Sequence, residues 1–415
     1  MDLDDTPEQA TYRATVRAWL GEHAREAPTA GPDGRLDPEA WRRWQGRLAE
    51  GGLVAVTWPA EYGGQGLRPI EQVIVGQELA RAKVPGPMGV IGLGMCGPAL
   101  IYHGTDDQRR HLPALLSGEE HWSQLFSEPA AGSDVAGIQT RATELDDGSW
   151  SITGQKVWTT GAQHSDWGIL IARTDPDVPK HKGLTMFIVP IKGADGVTVR
   201  PLRQILGDAE FNEVFFDGLR VPQDAVLGGA GNGWTVALTV LMHERLSIGA
   251  GNWGSLLDDL IGLIAGDEDA GCDAVVRQRL GAVAAELLAL RFTGYRMLTA
   301  VQQGRIPGPE AGLAKVTTVN ASAEAYALAL AVLGPDGLEE RSPWGTGAAG
   351  IAGFRSAGGS EQILRNTVGE RVLGLPPEPR LDKGVAYREL KARERETAPS
   401  GRSSPVPTSD RGATG

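Results

Sequence analysis

The spacing of apolar residues changes twice along this chain. Near the start it is helical. Thr6-Pro7-Glu8 reads as a helix start with Pro in the first turn, and Val16, Trp19 and Leu20 follow at helical spacing. Pro38 opens a second helix carrying Trp41, Trp44 and Leu48. A Gly- and Pro-rich break, GGLVAVTWPAEYGGQG, separates it from the helical run IEQVIVGQELARA. From Trp122 to about 228 the apolar residues fall in short runs or alternate, as in SWSITGQKVW, WGILIART, LTMFIVPI, VTVRPL and NEVFFDGLRV. These runs are β-branched or aromatic and are bounded by Gly, Asp and Pro, so they predict strands. Several strands at a spacing of about ten residues suggest a small barrel or sandwich. From Trp234 onward helical periodicity returns, in WTVALTVLMHERL, VVRQRLGAVAAELLALRFTGYRMLTAV, GLAKVTTVNASAEAYALALAVL and SEQILRNTVGERVLGL.

Helices, then strands, then helices read as an α+β fold, not an alternating βαβ one. No GxGxxG follows a strand and opens a helix, so a Rossmann fold has no support. The boundaries read as a helical N-terminal domain over 1–120, a central β domain over 121–230, a C-terminal helical domain over 231–385 and a disordered tail over 386–415. The tail is expected to be disordered because it has almost no large apolar residues.

Composition narrows the function. The 415 residues allow two or three domains, and 41% hydrophobic with 22% charged residues excludes a mostly disordered chain. A net charge of −12 disfavours a broad grip on nucleic acid but leaves room for a local anion pocket. Cys96 and Cys272 are the only cysteines, which excludes a disulfide-stapled scaffold and a four-cysteine zinc site. The seven His are scattered with no HExxH, so no metal centre is expected. The start is acidic and then amphipathic, and the apolar runs are too short to cross a bilayer, so the chain reads as soluble and cytoplasmic, with no membrane span.

Two segments carry candidate chemistry. QLFSEPAAGSD, Gln124 to Asp134, is a strand end running into a turn of small residues. Its backbone N–H groups and hydroxyls suit a large, planar, polar ligand. KVWTTG, Lys156 to Gly161, sets an aromatic ring before two hydroxyls, which can cover one face of a ring system and bond its edge.

These segments, with GQKVWTTGA, FNEVFFDGLRVP and RNTVGERVLGLP in that order, resemble the acyl-CoA dehydrogenases. AVTWPAEYGGQG and HGTDDQRR also fit, and the resemblance covers roughly residues 6 to 385. It implies a helical N-terminal domain, a central β-barrel or sandwich domain and a C-terminal four-helix bundle. It also implies bound FAD, a tetramer built as a dimer of dimers, an acyl thioester substrate on CoA or a carrier protein, and an electron-transfer flavoprotein or similar acceptor. By the resemblance, Gln124, Phe126, Ser127, Gly132 and Ser133 line the flavin and substrate, with Ser127 at the flavin edge and Ser133 near the pyrophosphate or the CoA. Trp158, Thr159 and Thr160 cover the isoalloxazine and bond its reactive edge. Ser360 and Gln362, in GGSEQI, reach the FAD.

The reaction needs a base for the α-proton and donors for the developing enolate oxygen. Most members carry the base just before the Gly-Thr of the C-terminal motif, where this chain has Gly358. Gly358 has no side chain to take a proton but keeps an N–H for the thioester carbonyl. The branch that includes isovaleryl-CoA dehydrogenase carries a Glu on an earlier helix, before an Arg. Here that pair is Glu244 and Arg245, so Glu244 is the expected base, with Arg245 and Trp253 lining the substrate. His243 is a weaker candidate, because adjacent helical residues project ~100° apart. Asp134 and Glu128 read as capping or pairing groups. Asp273 and Ala331 stand where members often have an Arg and a Gln against a neighbouring subunit's FAD, with Arg277 and Arg279 close by. These departures keep open a heteromeric complex in which this chain has little activity alone. A flavin oxidase or monooxygenase on the same fold is the other alternative.

Overall fold

A computed structural model describes residues 5–31, 35–249, 254–303, 308–309, 311–339 and 342–397. The N-terminal helices are α1 (Pro7–His23), α2 (Pro38–Glu50), α3 (Pro69–Arg81), α4 (Gly97–His103), α5 (Asp106–Arg109) and α6 (Leu112–Ser117). Local chemistry sets their starts. Thr6 and Gln9 exchange hydrogen bonds in a capping box, Asp37 accepts the Ala40 N–H at 2.8 Å, and Pro occupies the first turn of α1, α2 and α3. Their apolar faces meet around Val16, Leu20, Trp44, Leu48, Leu100 and Leu112. At the edge of this core lies Glu78 of α3, only 2% exposed, paired with Arg13 and Arg17 of α1 and with Arg81. The Arg17 hydrogen bond, against the cost of burial and with help from Arg81 and Arg13, holds the Glu78 carboxyl down at about 2.

The central domain is an eight-stranded sheet of β1 (Trp122–Leu125), β2 (Arg141–Glu144), β3 (Trp150–Thr160), β4 (Trp167–Arg173), β5 (Leu184–Pro190), β6 (Val197–Leu202), β7 (Phe211–Val221) and β8 (Val226–Leu227). The strand order is β6-β7-β3-β2-β4-β5-β8, with β1 parallel on β4. The two halves join at β2, which pairs along β3 but meets β4 only at Arg141 and Arg173. One apolar cluster draws on both halves, through Ile152, Val214 and Phe216 on one side and Leu170, Phe187 and Val189 on the other. The β3–β7 ladder slips between Lys156 and Thr159, a bulge that re-aims the residues between them.

The C-terminal helices are α7 (Gly233–Gly249), α8 (Gly254–Ala265), α9 (Glu268–Cys272), α10 (Ala274–Gln302), α11 (Ala311–Leu333), α12 (Pro343–Phe354), α13 (Glu361–Arg371) and α14 (Tyr387–Thr397). The longest described helices among them are α10, α11 and α7. The hub is α11, packed on α7, α8, α10, α12 and α13. Its Ala321, Ala325 and Ala329 are buried against Leu260, Ile264, Val283 and Leu287, and small residues let the neighbours approach closely. The stretch Gly312–Leu338 is long and apolar enough to cross a membrane, and here it forms the core of the bundle.

The expected disordered tail over 386–415 is corrected in part. Its first residues form α14, and residues 398–415 lie outside those described. Two features outweigh the poor composition. Tyr387 lies 3.5 Å from the Arg173 guanidinium, and the pairs Glu389–Arg393 and Lys391–Glu394 run along the helix.

Candidate functional site

The turn after β1 is fixed from below by a buried ion pair. Lys156 of β3 is fully buried, and its Nζ donates to the Phe126 carbonyl at 3.0 Å and to Glu128 Oε1 at 2.9 Å. Glu128 also accepts the N–H groups of Gln139 (2.6 Å) and Thr140 (2.9 Å). Burial works against the Glu128 charge, but Lys156 and these donors hold its carboxyl below the ordinary range. Burial likewise pulls Lys156 down to about 8, with Glu128 opposing. The Val157 N–H donates to the Ser127 carbonyl at 2.9 Å, which ties β3 to the same turn. The polar rim is thereby left facing outward: Gln124 and Ser127 half-buried, Gly132 and Ser133 exposed, with Phe126 buried beneath them. No atom lies within 4 Å of where a Cβ on Gly132 would be, so the space above the turn is open. Glu128 and Asp134 do act as pairing groups, Asp134 through Lys180 at 2.9 Å.

At the β3 bulge, Trp158 is held at φ 60° and is 61% exposed, edge-on to Phe211 at 5.9 Å between centroids. A left-handed conformation at a bulky residue is unusual and is maintained only where the surroundings impose it. Here it turns a large ring outward beside the Ser127 turn. Thr159 faces inward, and its buried hydroxyl has no hydrogen-bond partner among the described residues. Thr160 is half-buried, and its carbonyl accepts the Ser123 hydroxyl at 2.9 Å.

The third part is the turn between α12 and α13. Gly358 and Gly359 have φ of 62° and 92°, a consecutive left-handed pair that only glycine adopts at little cost. Ser360 caps α13 through the Ile363 N–H, and the Ser133 hydroxyl reaches the Ser360 hydroxyl at 3.4 Å. Residues 227 apart in sequence thus touch. Gln362 is exposed on the first turn of α13.

Glu244 lies on α7 and is half-buried. Its charge acts on Lys315 of α11. The Lys315 ammonium is drawn down by burial, raised by Glu361, lowered by Arg355 and raised by Glu244, with a net downward shift. The same Nζ donates to the carbonyls of Gly359 (2.8 Å) and Arg355 (3.1 Å). Lys315 therefore grips the Gly358 turn by two carbonyls, with Glu244 among the charges that act on it. His243 packs its ring on Tyr102 at 5.8 Å between centroids, and burial pushes its imidazole below the ordinary range. The Arg245 side chain and Trp253 lie outside the described residues. Asp273 accepts the N–H groups of Val275 and Val276, capping α10, while Arg277 donates to the Gly271 carbonyl and Arg279 approaches Glu324 at 3.8 Å.

Sequence reasoning passed over Lys156 as a partner of Glu128 and missed Lys315 altogether. A signal for Lys315 was present: it is the only charged residue between Gly312 and Ala323. An ammonium in such a place needs partners.

The residues present fit a flavin. An outward aromatic face, open space over a small-residue turn and converging hydroxyls from three chain segments suit an extended ring carrying polar groups at its edge.

Comparison with known proteins agrees. Residues 6–119 match the family description "Acyl-CoA dehydrogenase, N-terminal domain", residues 123–219 the middle domain and residues 231–373 the C-terminal domain. The acyl-CoA dehydrogenase IpdE1 of Mycobacterium tuberculosis is 39% identical over 88% of this chain and 98% of its own length. FadE34 of the same organism is 40% identical over 79% of this chain, which spans only 45% of that longer protein. Among solved structures, one described as the Tcur3481-Tcur3483 steroid ACAD has a TM-score of 0.78 at 30% identity, over 91% of this chain and 100% of that one. The ChsE4-ChsE5 complex from Mycobacterium tuberculosis has a TM-score of 0.77 at 28% identity, over 91% and 100%. The chain belongs to the acyl-CoA dehydrogenase family.

Proposed function

We propose that this chain binds FAD and desaturates an acyl thioester between its α and β carbons, with Glu244 as the base. The observation that carries this reading is the convergence on Lys315. One ammonium holds the turn around Gly358 by two carbonyls, and the Glu244 carboxylate is among the charges that act on it, which supports a base on α7 facing that turn. The bound flavin supplies the hydride acceptor. Glu244 takes the α-proton. The Gly358 N–H donates to the thioester carbonyl as charge builds on its oxygen. Trp158 and Thr160, backed by Thr159, hold one side of the flavin ring, while Gln124, Ser127, Gly132 and Ser133 line its rim over the buried Phe126. Ser360 and Gln362 approach from α13, and Arg245 and Trp253 line the acyl pocket. The relative described as a steroid ACAD supports a bulky acyl group, and the physiological acceptor is an electron-transfer flavoprotein or similar carrier in the cytoplasm.

A heteromeric assembly is favoured by one observation. Asp273 spends its carboxylate on the start of α10 and offers no cation to a neighbouring cofactor. Anaerobic flavin bleaching against a panel of acyl thioesters, from butyryl-CoA to steroid side-chain CoA esters, tests the reading. Wild type is expected to bleach with at least one, and Glu244→Gln to stay yellow in all while keeping its flavin. Bleaching by Glu244→Gln at the wild-type rate removes Glu244 as the base. A colourless protein that cannot be reconstituted with FAD removes the enzyme reading.

A further inference from the structure

The Gly358 turn has little of its own to hold its shape. Its two central residues are glycines, and Phe354, just before it, is 58% exposed. No apolar side chain of residues 355–360 enters a core, and the turn opens on the face where Ser133 and Ser360 meet. What fixes it comes from another helix. Lys315, in the second turn of α11, is 7% exposed, and its Nζ reaches the carbonyls at both ends of the turn, Arg355 at 3.1 Å and Gly359 at 2.8 Å. Around it, Arg355 bonds Asn320 of α11 and Glu361 of α13. Glu361 also holds Arg365, and the Glu361 N–H donates to the Arg355 carbonyl at 3.0 Å.

We propose that Lys315 is a positioning residue: its ammonium clamps the 355–359 turn by both ends, fixing the direction of the Gly358 N–H relative to Glu244. The inference rests on the desaturase reading for what the turn does, but the clamp itself rests on the two carbonyl bonds. A buried ammonium is a costly way to fill space, and an apolar side chain of the same length would fill it at less expense. The charge makes sense where two carbonyls in a glycine turn must be gripped.

The test uses Lys315→Met and Lys315→Arg in the full-length protein. Hydrogen–deuterium exchange is read for peptides spanning residues 355–361, with the rest of the chain as internal control. In Lys315→Met, exchange there is expected to rise by about tenfold or more, with α7, α8 and α10 unchanged. With the thioester that bleaches wild type fastest, kcat is expected to fall about 100-fold, the size of losing one aimed donor, while KM stays within about threefold. Lys315→Arg keeps the charge and two donors and is expected to recover most of the protection and part of kcat. Unchanged exchange over 355–361 overturns the clamp. So does exchange that rises equally throughout the bundle, because Lys315 is then a residue of the core alone. Equal losses in Lys315→Met and Lys315→Arg overturn the charge requirement. If no thioester bleaches wild type, the desaturase reading fails, and the exchange result still decides the clamp.

Discussion

Glu128 and Lys156 show how a charge in the wrong place becomes useful. Either alone would be a buried, uncompensated ion. Together they anchor the turn that presents Ser127 and Ser133. Glu128→Gln leaves the Lys156 ammonium among carbonyls and apolar groups, and stability is expected to fall by about 3 kcal/mol. Adding Lys156→Met should return a good part of that loss, measured by thermal or denaturant unfolding. If the double variant is as unstable as the sum of the singles, the pair is not coupled as its geometry implies. The left-handed Trp158 is a second residue-scale feature. Nothing in KVWTTG announces a positive φ, because the bulge that imposes it depends on the register of β7.

Helices α1 and α3 illustrate the element scale. The start of α1 was readable from Thr6-Pro7, since capping is local, and α3 from the helical run IEQVIVGQELARA. Their mutual orientation was not. It is set in part by Glu78, which collects Arg13, Arg17 and Arg81 from two helices. The sign of the pH effect follows from its carboxyl, which lies at about 2 in the fold against an ordinary 4.5. The contribution is fully present above about 4.5 and is lost as pH falls towards about 2. Glu78→Gln is therefore expected to melt lower than wild type at neutral pH, with the two curves converging on acidification. Parallel curves down to pH ~2 would show that Glu78 does not link folding to protons.

Across the whole molecule, the C-terminal segment acts as a strap. The family match ends at residue 373, yet the chain returns to the β domain. Tyr387 lies against Arg173, and its hydroxyl donates to the Gly137 carbonyl at 3.3 Å. Arg173 in turn donates to the carbonyls of Ala136 and Ile138, and Lys180 bridges Asp134 to Asp382. The strap thereby braces the far end of the turn over residues 124–134. Tyr387→Ala is expected to cost about 1–2 kcal/mol of stability and to speed flavin loss, followed by absorbance after repeated desalting. Lower stability with unchanged flavin retention would confine the strap to holding domains together.

Much of this was legible from the chain alone. The switch from helical to alternating apolar spacing located the three domains, because burial of one face of a helix or strand imprints its period on the sequence. The motifs QLFSEPAAGSD and KVWTTG singled out two segments that the fold sets side by side through the Val157 N–H and the Ser127 carbonyl, and Glu244 is proposed as base from the family resemblance, since glycine at 358 cannot carry a proton. The tertiary structure decided what depends on distant partners: Lys315 against the carbonyls of Arg355 and Gly359, Ser133 against Ser360, Tyr387 on Arg173. Composition alone set residues 386–397 down as disordered, because a sequence window records the apolar surface a segment carries and not the surface waiting to receive it. Local pattern determines which elements form. The cost of burying charges and unpaired polar groups, settled only when the chain has folded, determines which residues finally meet.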